Sequence, residues 1–130
     1  KASGVITTVA GTLGSFGSSG DGQLATKAQL NYPQAIAFSP DGESMYIADY
    51  LNERVRLVKN GIITTVAGTL NQPSGVTVLP TGDLLISDTG NHRIRKVASN
   101  GAVSTIAGTG TKTDSGGSNL GITVLQPWLH

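Results

Sequence analysis

The chain has 130 residues, a net charge of +1, 13% charged residues and no cysteine. So weak a field excludes general electrostatic attraction to nucleic acid or to a membrane surface. The lack of cysteine excludes disulfides, thiolate metal sites and a cysteine nucleophile. No apolar run approaches the roughly 20 residues of a membrane helix, and residues 1–12 contain no signal-peptide core.

The first element, VITTVAGT at 5–12, reads as a strand, and it is written again as IITTVAGT at 62–69 and AVSTIAGT at 102–109. The first interval between copies is the longer because residues 13–29, rich in Gly and Ser, are inserted there. Two units of about 40 residues follow, one over 30–69 and one over 70–109, alike in kind except for one-residue slips at Glu43–Ser44 and at Ser99. Each unit predicts four short strands. In the first they are Ala35–Phe38, Met45–Asp49, Arg54–Val58 and Ile62–Ala67. In the second they are Gly75–Leu79, Leu84–Asp88, Arg93–Val97 and Ala102–Ala107. Pro40-Asp41-Gly42 and Pro80-Thr81-Gly82 end the first strands as turn clusters. Asn60-Gly61 and Asn100-Gly101 predict two-residue type I′ hairpins, because both residue types tolerate positive φ. No segment holds apolar residues at helical spacing, so no helix is expected. The last element is GITVL at 121–125, within 118–127. It repeats GVTVL at 75–79 and reads as a further first strand.

These strands carry apolar residues on both faces, so each four-stranded sheet expects cover on both sides. Repeated four-stranded antiparallel meanders stacked face to face make a β-propeller. The fold class is therefore all-β: a propeller segment of two full blades, with the fourth strand of a preceding blade and the first strand of a following one. Two blades alone leave two apolar faces bare, and the forgone burial is on the order of 10 kcal/mol. Other protein is expected to cover them, either further chain of a longer parent or neighbouring copies.

The stretch SGVTVLPTGDLLISDTGNHRIRKV, followed by NGAVSTIAGTG, resembles an NHL repeat. Asn91-His92 stands where that family's name-giving Asn-His-Leu falls, with Arg93 in place of Leu. The insertion GSFGSSGDGQLATKAQLNYP resembles the Gly-Asp-Gly loop between such repeats. The first unit departs from the pattern, with Asn52-Glu53-Arg54 and with Leu51 where the second has Gly90. The resemblance implies a propeller, commonly of six blades, that usually binds a partner and sometimes hosts an enzyme.

Chemistry-bearing residues are few. A lone His92 in a turn cannot make a zinc site, which takes three or four ligands, and no Gly-x-Ser-x-Gly elbow is present. SSGDG offers one carboxylate, too few for a good calcium site, so no cofactor and no metal site are expected. Asp49 and Asp88 end the second strands and are read as bonding backbone amides of their turns. Arg54/Arg56 and Arg93/Arg95 each share a strand face. Without aromatic platforms beside them, they are read as ion-pair partners and not as RNA contacts. Function sits more often where repeats differ. The candidate binding residues are therefore those of the rim that the insertion shares with DYLNER and DTGNHR: Phe16, Asp21, Tyr50, Glu53, Asn91 and His92. The leading expectation is a non-catalytic protein-interaction or scaffolding module. The alternatives are a fragment of a propeller lyase or hydrolase with its site at the central channel, and an RNA-binding propeller. The small-molecule ligand is open, a membrane is not expected, and an extracellular setting is slightly favoured.

Overall fold

The structure is a computed structural model that describes residues 4–111. Eight strands form two antiparallel meanders. The first sheet has the order β1 (Pro33–Phe38), β2 (Ser44–Asp49), β3 (Arg54–Lys59), β4 (Ile62–Ala67). The second has the order β5 (Pro73–Val78), β6 (Leu84–Asp88), β7 (Arg93–Val97), β8 (Val103–Ala107). All eight predicted strands of the two units are present, most of them within a residue or two of the expected bounds. Bulges recur at the same places, between Pro33 and Ala35 and between Val55 and Arg56 in one sheet, and at Pro73/Gly75 and Ile94/Arg95 in the other.

Register decides which residues face the neighbouring blade. Ala35, Ala48, Val55 and Ala67 lie in one cross-strand row of the first sheet. Val76, Ile86, Arg95 and Thr105 form a row of the second. The main core joins these surfaces: Ala48, Val55, Ala67 and Leu70 pack with Val76, Leu84, Ile86 and Val97. The blades thus stack as expected, the small side chains of one receiving the branched ones of the next. The equivalent of Val76 on the first blade is Ile36, in the row Ile36, Ile47, Arg56, Thr65. Val76 is 8% exposed and Ile36 is 56% exposed. The two positions differ in what covers them, and Phe38 beside Ile36 is equally bare.

Two local features add to the expected strands, and one expected hairpin is corrected. Residues 4–8 adopt no regular secondary structure, and Ile6 and Val9 are exposed. A strand needs a ladder, and the sheet that Val5–Val9 would join is not among the described residues. The turn after each second strand is a single 3-10 turn, Tyr50–Asn52 and Thr89–Asn91, and a third lies at Ala25–Lys27. At three residues each, the turns are too short to carry a helical period. At Asn60-Gly61 both φ values are positive, 54° and 78°, as type I′ requires. The other hairpin is different. Gly101 has φ 93°, Asn100 is not in the left-handed region, Gly101 N–H donates to Ala98 O, and Ala98 N–H donates to Ala102 O. This is a three-residue loop, a type I turn closed by a glycine bulge, and Ser99 is the extra residue. The expected strand within 118–127 lies outside the described residues.

Candidate functional site

The rim is built on a frame that both blades repeat. Asp49 ends β2 and is wholly buried. Its Oδ1 accepts from the Asn31 backbone N–H at 2.8 Å and its Oδ2 from Asn52 Nδ2 at 2.8 Å. Oδ2 also meets the Arg56 guanidinium at 3.3 Å and the Arg54 Nε at 3.9 Å. Asp88 does the same: Oδ1 accepts from the Asn71 N–H, and Oδ2 meets Asn91 Nδ2 at 2.9 Å, Arg93 Nε at 3.3 Å and Arg95 at 3.5 Å. The spacing follows from the hairpin. Asn three residues on reaches back across the 3-10 turn, and the two arginines face the carboxylate from the next strand. The amides held belong to the segment entering the blade and not to the turn itself. The frame therefore pins the inter-blade connection to the rim, and the arginines are structural ion-pair partners.

In the first blade the insertion completes this frame. Asn52 Nδ2 donates to Gly17 O, the Arg54 guanidinium to Ser18 O, and Arg56 to Gln29 O and Ser19 O. Asp21 accepts from Arg56 at 2.8 Å and from the Thr65 hydroxyl at 2.6 Å, with Arg54 3.6 Å away. Partial burial pushes the Asp21 carboxyl up, but Thr65, Arg56 and Arg54 outweigh it and hold the group below its ordinary value. The chain then runs along the outer edge of β4. Ile63 N–H donates to Gln23 O, Gly22 N–H to Ile63 O, and Ala25 N–H to Gly61 O. Ala25 and Ala28 close over Ile63 in a second apolar cluster. The insertion was expected to be confined to the rim. It also pairs with the edge of β4, through an isolated bridge of Leu24 with Ile62, and serves as a lid; a Cβ at Gly20 would collide with Ala28.

What remains presented on the first blade's rim is apolar and aromatic. Phe16 bridges to Leu30, and Leu51 N–H donates to Asn31 O. Tyr32 meets Tyr50 edge-on, centroids 5.9 Å apart and rings at 77°. Phe16, Tyr32 and Leu51 are exposed. The second blade has Gln72, Thr89 and Gly90 where the first has Tyr32, Tyr50 and Leu51.

The six candidate residues divide into three groups. Phe16 and Tyr50 belong to the aromatic rim. Asp21 and Asn91 are engaged by the arginines and by Asp88, although the Asp21 side chain remains 39% exposed. Glu53 and His92 are the left-handed residues, φ 59° and 55°, that turn each chain into its third strand. Among the described residues no hydrogen bond or ring contact joins Asn91 or His92 to Phe16, Tyr50 or Glu53. Tyr32 and Leu51 were missed; the signal available was their replacement by small polar residues in the second unit.

Residues 70–97 match the family model of the NHL repeat, so the chain carries such a repeat over β5–β7. No curated protein matches the chain. Solved structures similar to it are β-propellers. A streptogramin B lyase is 18% identical, with TM-score 0.55, over 65% of this chain and 28% of that one. A chain of a nidogen/laminin complex is 19% identical, with TM-score 0.57, over 64% and 34%. The calcium-binding protein regucalcin from Agrobacterium tumefaciens is 22% identical, with TM-score 0.51, over 62% and 30%. At such identities the likeness shows the fold alone, and the chain spans about a third or less of the length of each of these three.

Proposed function

We propose that this NHL-repeat propeller segment is a protein-interaction module without catalysis of its own, and that it engages a partner through the rim of its first blade. The observation that carries the reading is the difference between the two blades. The repeated Asp, Asn and Arg side chains of both rims are engaged in holding the connections. Only the first rim adds the exposed Phe16, Tyr32 and Leu51, with the half-buried Tyr50 packed edge-on against Tyr32. Rigid aromatic residues of low conformational entropy are what protein interfaces enrich. The bare face around Ile36 and Phe38 belongs to the same reading: other protein covers it, as further chain or as a neighbouring copy.

Affinity capture with the chain and with a Phe16→Ser/Leu51→Ser variant tests the rim. Both substitutions lie on exposed positions and leave the Asp49 frame intact. A protein retained by the chain, lost by the variant and then shown to bind in purified form supports the reading. Identical captures by the two overturn it.

A further inference from the structure

The second blade repeats, without an occupant among the described residues, the seat that the insertion fills on the first. The seat has three parts. On the first blade Arg56 lies opposite Thr65 in the β-ladder, and both bind the Asp21 carboxylate. On the second, Arg95 lies opposite Thr105 in the same register. Arg56 is wholly buried beneath the insertion, whereas the Arg95 and Arg93 side chains are 14% and 30% exposed and, among the described residues, pair only with Asp88. The outer edge of β4 is taken by residues 22–25, whereas β8 is an edge strand whose outward backbone groups at Gly101 and Val103 pair with none of the described residues. Ile63 is 0% exposed under Ala25 and Ala28, and its counterpart Val103 is 44% exposed. Beside the seat, a cleft of about 240 Å³ opens between Tyr46, Leu57 and Val66 of one blade and Val97 of the next.

The geometry points to a docking site on the second blade for an extended, carboxylate-bearing segment of a partner protein. The segment adds a strand to β8, places an Asp or Glu side chain between Arg95, Arg93 and Thr105, and lays small apolar side chains over Val103. Backbone pairing at a bare sheet edge supplies a sequence-tolerant part of the binding. The carboxylate on a guanidinium pair supplies the specific part. The insertion itself shows the chemistry that fits: a glycine-flanked acid followed by an extended stretch and two alanines. The site is independent of the aromatic rim, which lies on the other blade.

The test uses the full chain and, as probe, a labelled peptide with the sequence of residues 13–29. Saturable binding by fluorescence anisotropy is expected, weakened about tenfold or more when the peptide carries Asp21→Asn or the chain carries Thr105→Val, the loss of a hydrogen bond to a charged group. Leu51→Ser, the rim variant, is expected to leave this affinity unchanged. Amide exchange gives a readout that needs no variant: the peptide is expected to slow exchange at residues 101–105. Absence of saturable binding, equal affinity for the Asp21→Asn peptide, or protection confined to residues 61–65, where the resident insertion would merely be displaced, overturns the proposal.

Discussion

Asp49 and Arg56 meet at 3.3 Å with neither side chain exposed to solvent. Two buried opposite charges are held in place by each other and by the amides around them. Removing Asp49 leaves the buried guanidinium with the Asp21 carboxylate of the insertion as its remaining partner and the Asn31 amide without its acceptor. Asp49→Ala is therefore expected to cost about 3–5 kcal/mol. Asp88→Ala is expected to cost less, because Arg93 and Arg95 retain access to water. Urea denaturation of the two variants checks the order; an equal loss in both contradicts it.

The insertion is a structural part of the first blade. Deleting Ser15–Lys27 uncovers Ile63 and takes Asp21 and Ser19 away from Arg56. Exposing Ile63 alone is worth about 1.5–3 kcal/mol. The denaturation midpoint is expected to fall clearly, against the small cost that loop length alone would carry. Gly20→Ala tests the same contact at one position: φ is 112° there and Ala28 lies in the way, so a loss of about 1–3 kcal/mol is expected.

The two hairpins make opposite demands. Gly101→Val forces a branched side chain to φ 93° and is expected to cost at least about 1 kcal/mol. Deleting Ser99 leaves Asn100-Gly101 as a two-residue loop like Asn60-Gly61, and is expected to change stability by less than about 1 kcal/mol. Thermal unfolding of the two variants measures both.

Acid acts through Asp21. Its carboxyl is held below the ordinary 3.8, so the folded state binds a proton less readily than the unfolded chain. The stability contributed is fully present above the unfolded value and is lost as pH falls through the depressed folded one. Between neutral pH and pH about 3 the chain is expected to lose more stability than its Asp21→Asn variant. Parallel acid dependences would show that the clamp contributes nothing.

Much of this was legible before any coordinates. Strand positions followed from short apolar runs between Pro-Asp-Gly, Pro-Thr-Gly and Asn-Gly turns, and the fourfold meander followed from their repetition. The pairing of Arg54/Arg56 and Arg93/Arg95 was legible because Asp, Asn, Arg and Arg recur at one spacing. The role of residues 22–25 was not, because edge pairing uses backbone groups and leaves no apolar period in a glycine-rich stretch. Nor was the binding of Asp21 by Arg56 and Thr65, since a lone acid in a loop carries no local sign of an arginine more than thirty residues away. Ser99 was visible as a slip in the repeat, and only its geometry showed that the slip changes the turn type.

The central claim is that these blades are made to be covered by other protein. Ile36 stands bare where Val76 lies under a neighbouring blade. Sedimentation velocity of the 130-residue chain over a range of concentrations tests this most directly. The expected result is a mass that rises with concentration and falls back in an Ile36→Ser/Phe38→Ser variant. A stable, cooperatively folding monomer at micromolar concentration would contradict the claim.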